Sequence, residues 1–522
     1  MARERRIPTW VAASLVAAGA ALPLAYVLVR AAGAGGEVWS DLLDRRLPTL
    51  LANTLGLAAV AVAGTILIGT ALAYLVVRTD IPGRRALGVL CALPLAIPPY
   101  VGSVTYGDVL GPRGGLRDLL GVDEIPSIFG FPGAALVLIL FTYPYVFLLA
   151  AAALRNLNPH FEEAVCGLGR GTLRVFFGTT MRLIAPALAA GGLLVGLYVL
   201  SDFGTVSLMR FQTFTTVIYD EIGGRFDPPA AAALSSVLVL LTLAFLAGGI
   251  AMRGSGRFVQ TEGGFGRVAP RPLGRVRWPA FASVVVVLGL SLALPLARLA
   301  TWTVDVIPDQ DLGDYAGWAW NSILVSVLGA TIAVVCALPV AMLMTRRGGL
   351  AVGWLAQAGY ALPGVIVALA LVAISTRWFD PLYGTLGLLV AAYVIRFLPQ
   401  AIQGEEAGLQ QIGPNLLEAA RGLGASGRQA LWRVVLPLMR PSLGAAWAVV
   451  FLTVVKELPA TLILRPLGFD TLPVRVWVPA HDALYAQAGP PALLLVIISA
   501  VPLYLLLGRA AKNDPAGVAL PA

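Results

Sequence analysis

Twelve apolar runs, each long enough to cross a bilayer, recur along this chain and leave few folds open to it. They fall near residues 9–30, 51–77, 86–107, 133–154, 186–208 and 230–251, then near 279–302, 318–344, 352–375, 384–403, 441–463 and 490–508. About 20 apolar residues at helical rise match a hydrocarbon core of about 30 Å. Inside lipid every backbone N–H and C=O needs an internal partner, so helices are the expected element. Charged residues make up only 12% of the chain, against roughly 25% in a soluble domain. The expected fold class is an all-α integral membrane protein of about 12 transmembrane helices. Pro94, Pro98, Pro99, Pro339 and Pro363 lie inside these runs and predict kinks or helix ends. The first run, after "MARERR", reads as a retained helix rather than a cleaved leader.

The loops give the orientation. Alternate connections carry Arg78, Arg84 and Arg85; Arg155, Arg170, Arg174 and Arg182; Arg346 and Arg347; and Arg421, Arg428, Arg433 and Arg440. The opposite side holds Asp305, Asp309, Asp311 and Asp314. The positive-inside rule then places both termini in the cytoplasm. It also accounts for the net charge of +9, so no nucleic-acid partner is expected, and the membrane lipid is the surrounding medium. Cys91, Cys166 and Cys336 lie far apart and His160 and His481 are isolated, which predicts neither a disulfide framework nor a metal site. The chain has no G-x-x-x-x-G-K-[ST] phosphate loop and no paired catalytic carboxylates, so it is expected to be no enzyme and to bind no cofactor itself.

The two halves are copies. A shift of 255 residues carries Pro144 onto Pro399, Glu163 onto Glu418, Gly167-Leu168-Gly169 onto Gly422-Leu423-Gly424, Asp202 onto Glu457 and Arg210 onto Arg465. Farther upstream "NTLGLA" at 53 matches "NSILVS" at 321. Between the copies lies a stretch rich in Gly, Pro and Arg that reads as a cytoplasmic linker. The expected organisation is a first repeat over 1–252, a linker over 253–278 and a second repeat over 279–522, related by a pseudo-two-fold axis along the membrane normal.

Each repeat contains one polar segment wedged between apolar runs: "EAVCGLGRGTLRVFFGTTMRLIAPAL" from 163 and "EAARGLGASGRQALWRVVLPLMRPSL" from 418. The order is a short helix opened by Glu, a glycine that permits a sharp bend, and a second helix running into a span. Such a hairpin presents a rigid face to a soluble partner, and two copies imply a partner that is itself a pair. These segments, at 162–186 and 417–441, resemble the EAA loops of permeases from binding-protein-dependent ATP-binding-cassette importers. The second copy is close to the pattern in Glu418, Ala419, Ala420, Gly422, Gly424 and Leu436-Pro437. The first keeps Glu163, Ala164, Gly167 and Gly169 but has Val165, Cys166 and Arg182 at positions that depart from it.

The resemblance implies two tandem six-helix permease repeats of the type I importer fold. It also implies two copies of a separate ATPase docked on these coupling helices, a periplasmic substrate-binding protein opposite, and ATP with magnesium used only by the ATPase. "VVKELPATLILRPLGFDTL" at 454–472 and "LSDFGTVSLMRFQTFTTVIY" at 200–219 resemble the matching segments of ferric-iron permeases, most specifically in Lys456 to Thr461. That implies ferric iron as cargo in a bacterial inner membrane. Thiamine, phosphonate or polyamine cargo stays open, as does an ion-coupled carrier of six-plus-six design. Asp202, Lys456 and Glu457 are charged at or near a span, where charge is costly. They are candidates for the translocation path or its gate, with an internal Lys456–Glu457 pair or an interhelical pair as the structural alternative. Arg210 and Arg465 are expected at the outer surface.

Overall fold

The computed structural model describes residues 7–112, 114–115, 117, 121, 126–157, 172–225, 227–253, 270–344, 349–412, 416, 419–420 and 422–512. The first repeat contributes α1 (Ile7–Ala32), α2 (Leu47–Arg78), α3 (Arg84–Ala96), α4 (Pro99–Leu110), α5 (Phe131–Asn156), α6 (Phe176–Ser201), α7 (Gly204–Leu208), α8 (Phe214–Gly223) and α9 (Pro228–Arg253). The second repeats the order: α10 (Gly274–Val306), α11 (Leu312–Met344), α12 (Leu350–Tyr360), α13 (Gly364–Trp378), α14 (Leu386–Gln410), α15 (Leu431–Val454), α16 (Pro459–Leu464), α17 (Leu472–His481) and α18 (Gly489–Lys512).

Among the described residues, 10 helices are long and apolar enough to span, or up to 12 if two bent pairs each count once. In those pairs each of the runs 86–107 and 352–375 holds two helices with a sharp bend between them rather than one continuous helix. The helix α3 meets α4 at 91°, and α12 meets α13 at 102°. Both breaks fall where an extended residue, Ile97 or Leu362, precedes proline. Proline disfavours the helical region for the residue before it and offers no N–H of its own. Pro339, by contrast, sits inside the unbroken α11. The spans expected over 186–208 and 441–463 also shift: α6 and α15 begin about ten residues earlier than the apolar runs and stop at Ser201 and Val454. The remaining residues of those runs belong to the separate short helices α7 and α16. A π-helical turn opens α6 at Phe176–Thr180 and α15 at Leu431–Val435, the same place in both repeats.

The repeats are laced together by their first helices. The helix α1 packs on α9 of its own repeat but also on α11, α12 and α13 of the other. Conversely α10 packs on α18 and crosses to α4, where Tyr106 Oη donates to the Leu290 carbonyl at 2.8 Å and Arg298 Nε reaches Asp108 Oδ2 at 2.7 Å. The sequence repeats are therefore not two separately packed bodies.

Matching hydrogen bonds explain the repeated "NT" and "NS" pairs. Asn53 Nδ2 donates to the Gln212 carbonyl at 3.0 Å, and Asn321 Nδ2 to that of Asp470 at 2.9 Å. Thr54 Oγ1 accepts from Phe214 N at 3.4 Å, and Ser322 Oγ from Leu472 N at 2.8 Å. These pin the starts of α8 and α17 to α2 and α11, and they satisfy N–H groups that a helix start leaves unpaired. At the arginine-rich end, Arg78 Nη2 donates to the Leu157 carbonyl at 3.2 Å and Arg271 N to that of Arg78 at 2.9 Å. Two of the basic connections and the end of the linker thus meet on one side.

Small residues set the closest helix approaches, as expected where lipid offers no hydrophobic drive between helices. A Cβ at Gly69 of α2 would lie 2.9 Å from both Phe147 N and Val146 Cβ of α5. Gly69→Leu should therefore cost about 1–3 kcal/mol through overpacking. A drop in the thermal unfolding midpoint of the detergent-solubilised chain is the expected readout, and an unchanged midpoint would contradict this packing.

Candidate functional site

An acid follows the end of each of α6 and α15, Asp202 directly after Ser201 and Glu457 three residues beyond Val454. Asp202 Oδ2 accepts from Thr205 N at 3.1 Å and Val206 N at 3.2 Å, and its Oδ1 accepts from Thr205 Oγ1 at 3.0 Å. Glu457 Oε1 accepts from Ala460 N at 3.2 Å. Each carboxylate caps the short helix that follows, α7 or α16, where free N–H groups favour negative charge. Both spans thereby end inside the protein rather than at its surface, since Asp202 and Glu457 are buried.

The second repeat adds a cation that the first lacks. Arg396 of α14 places Nη1 on Glu457 Oε1, and the 255-residue shift puts Phe141 at the corresponding place in α5. Gly364, the first residue of α13, lies so close to this pair that any Cβ there would collide with the guanidinium and the carboxylate. Arg396 is also within electrostatic range of Asp202. Glu457 thus pairs with Arg396 of another helix rather than with Lys456, the interhelical one of the two pairings open from sequence. Lys456 instead reaches across the repeat boundary and donates from Nζ to the Leu95 carbonyl at 3.0 Å. Leu95 is in the last turn of α3, just before the Pro98 break. Gly204 completes the junction, because a Cβ on it would meet Tyr100 Cβ of α4 at 2.8 Å and Leu458 Cδ2 at 2.9 Å. Both broken spans and both acid-capped breaks therefore converge where the repeats meet. An arrangement of this kind can part or close with small movements of the two halves.

In the second EAA-like loop, Ala419, Ala420, Gly422 and Gly424 are described, whereas Glu163, Ala164, Gly167, Gly169 and Glu418 lie outside the described residues. The bend is at Gly424, with φ +84°, while Gly422 is helical with open space around it. Ala425 N donates to the Ala420 carbonyl at 3.0 Å, the outer bond of a Schellman helix end, which wants glycine in the left-handed conformation. The next helix starts with a capping box: Gln429 N donates to Ser426 Oγ at 3.3 Å and Ser426 N to Gln429 Oε1 at 2.8 Å. Leu423, between the two glycines, is 89% exposed. The shift puts Gly171 and Arg174 opposite Ser426 and Gln429, so the first loop lacks this pair of side chains.

At the opposite end Arg465 and Arg475 (2.7 Å) both pair with Asp470, and Arg475 lies 4.4 Å over the Trp318 ring. Arg210 has φ 55° and sits 4.8 Å over Phe129. Both predicted outer arginines are thus held by neighbours.

Comparison with known proteins decides the family. Residues 329–513 match the family model described as binding-protein-dependent transport system inner membrane component. Over 516 residues the chain is 31% identical to the Fe(3+)-transport system permease protein FbpB 2 of Haemophilus influenzae, covering 96% of this chain and 98% of that one. The chain belongs to the family of ferric-iron transport permeases. The ferric transport system permease protein FbpB of Actinobacillus pleuropneumoniae is similar at 25% identity over 83% of this permease and 67% of that one. The sulfate transport system permease protein CysW of Escherichia coli K12 is 29% identical over 42% of it and 79% of that relative. The permease is thus a multi-pass inner-membrane component of a transporter.

Sequence reasoning missed Arg396 and Tyr100. Arg396 was findable, because "AAYVIRFLPQ" carries a lone charge within an apolar run. Glu405 of α14, which is fully buried with neither carboxylate oxygen hydrogen-bonded and falls opposite Ala150, carries no such signal, because it stands beside Glu406 in a polar stretch.

Proposed function

We propose that this permease carries ferric iron into the cytoplasm by alternating access between its two repeats, powered by a separate ATPase pair. The ATPases grip the loops at 162–186 and 417–441 from the cytoplasmic side, where both termini also lie. A periplasmic binding protein delivers the ion to the opposite face. The observation that carries this reading is the convergence of the Lys456–Leu95 bond, the Arg396–Glu457 pair and both breaks at the repeat boundary. A junction built from both halves opens when the halves rock, and the bent α3–α4 and α12–α13 pairs are the elements that lead away from it. The likeness to permeases named for Fe(3+) supports iron as the cargo. ATP and magnesium act in the ATPase alone, and Asp202 and Glu457 shape the gate as caps of α7 and α16.

An ion-coupled carrier would leave the glycine-bent loop with its exposed Leu423 without a task. The reading is tested by capturing the tagged permease from native membranes and identifying the ATPase subunits that come with it. Stoichiometric co-purification of two ATPase copies per chain is the expected result. A permease that imports iron with no ATPase attached would refute the reading.

A further inference from the structure

Two buried oxygens at the repeat boundary have no partner. Tyr100, the second residue of α4, is 4% exposed, and its Oη makes no hydrogen bond. Glu457 uses Oε1 for Arg396 and Ala460, while its Oε2 is buried and unbonded. An unmade hydrogen bond on a buried polar group costs about 1–3 kcal/mol, so an unpaired phenol and an unpaired carboxylate oxygen on the two sides of one junction leave room for an added partner. They come from different repeats and belong to one junction. Gly204 touches both the Tyr100 side chain and Leu458, the neighbour of Glu457. Tyr100 is within electrostatic range of Glu457 and of Tyr198, and Tyr198 is partly accessible.

We propose that Tyr100 and Glu457 form a transient ferric-ion site between the repeats, one ligand from each half. The inference rests on iron being the cargo. Ferric iron is a hard cation that takes phenolate and carboxylate oxygen. No group of three or more His, Cys, Asp or Glu side chains suited to a metal exists among the described residues, so a resident metal cage is not what this junction offers. On arrival, the bond from Tyr100 Oη to iron replaces a hydroxide ligand and that from Glu457 Oε2 replaces a water, which is released. The phenol proton leaves with the displaced hydroxide as water, and no electron is transferred. The site is built to release: Arg396 occupies the other oxygen of Glu457 and Lys456 stands next to it, so nearby positive charge limits affinity. A conducting site needs that weakness. Because the ligands sit on different repeats, rocking the halves apart separates them and frees the ion.

The test uses the full-length permease in detergent, titrated with ferric nitrilotriacetate and followed by visible absorption. A phenolate-to-iron charge-transfer band should grow with the wild type, vanish in Tyr100→Phe, and persist in Tyr383→Phe, whose tyrosine is exposed far along the chain from the junction. Glu457→Gln should keep the band but need about tenfold more iron, a difference of about 1.4 kcal/mol. Tyr100→Phe should also melt no lower than wild type, because it removes only an unpaired hydroxyl. A wild-type titration without the band, or a band that survives in Tyr100→Phe, overturns the site. ATP-driven iron uptake by the wild type, measured separately, would then still stand, which separates failure of the site from failure of the function.

Discussion

Arg396→Met should destabilise the permease by about 3–5 kcal/mol, the cost of leaving one member of a buried ion pair without its partner. The Glu457 side chain is 1% exposed and that of Arg396 17%, so water cannot take the place of the guanidinium. The same carboxylate caps α16 through Ala460, and loss of its counter-charge therefore also loosens the segment that carries Lys456. The double variant Arg396→Met/Glu457→Gln should regain most of the loss. A glutamine carbonyl can still accept from Ala460 N, and no uncompensated charge stays in the core. The measurement is a thermal or denaturant unfolding curve for the purified chain, wild type against both variants. A neutral Arg396→Met, or a double variant less stable than the single, would show that the pair is not the buried centre described here.

Leu423→Asp should leave stability within about 0.5 kcal/mol, as surface changes do, yet lower ATP-driven uptake at least about tenfold by weakening ATPase docking by 1.4 kcal/mol or more. The side chain is 89% exposed, so nothing inside the chain depends on it, and a lone apolar residue held between two glycines suits a hydrophobic socket. Gly424→Val acts differently. A β-branched residue at φ +84° is strained by about 1–3 kcal/mol, so the Schellman end should open and the loop lose its shape. Both variants should keep basal ATPase activity while losing stimulation by the loaded binding protein. Full coupling in Leu423→Asp would remove the docking role from this loop. The equivalent change at Leu168 should cost less uptake, because the first loop lacks the Ser426–Gln429 box.

The spanning helices were legible because lipid leaves an apolar run so few alternatives, and the duplication was legible in paired Pro, Gly and acidic positions. Hydropathy could not show that Pro98 and Pro363 turn a run through a right angle, since both limbs of each break are equally apolar. Nor could it show α1 and α10 packing on the opposite repeat, which depends on side-chain fit across helix faces. The acid-capped breaks were half visible. Asp202, Lys456 and Glu457 stood out as costly charges, but their partners Arg396 and Leu95 come from distant segments, so the sequence left open whether Glu457 pairs with Lys456 or across helices. The loop chemistry at Ser426 and Gln429 was present in sequence as an S-x-x-Q pattern, obscured by the stronger glycine signal beside it.

On the proposed function, ATP hydrolysis by a docked partner moves ferric iron through this junction. The most direct measurement is radio-iron accumulation in liposomes containing the permease with its ATPase, given iron-loaded binding protein outside and ATP within. The account predicts uptake that requires hydrolysable ATP, stops with Leu423→Asp, and is indifferent to collapse of the proton and sodium gradients. Uptake driven by an ion gradient without ATP would contradict it.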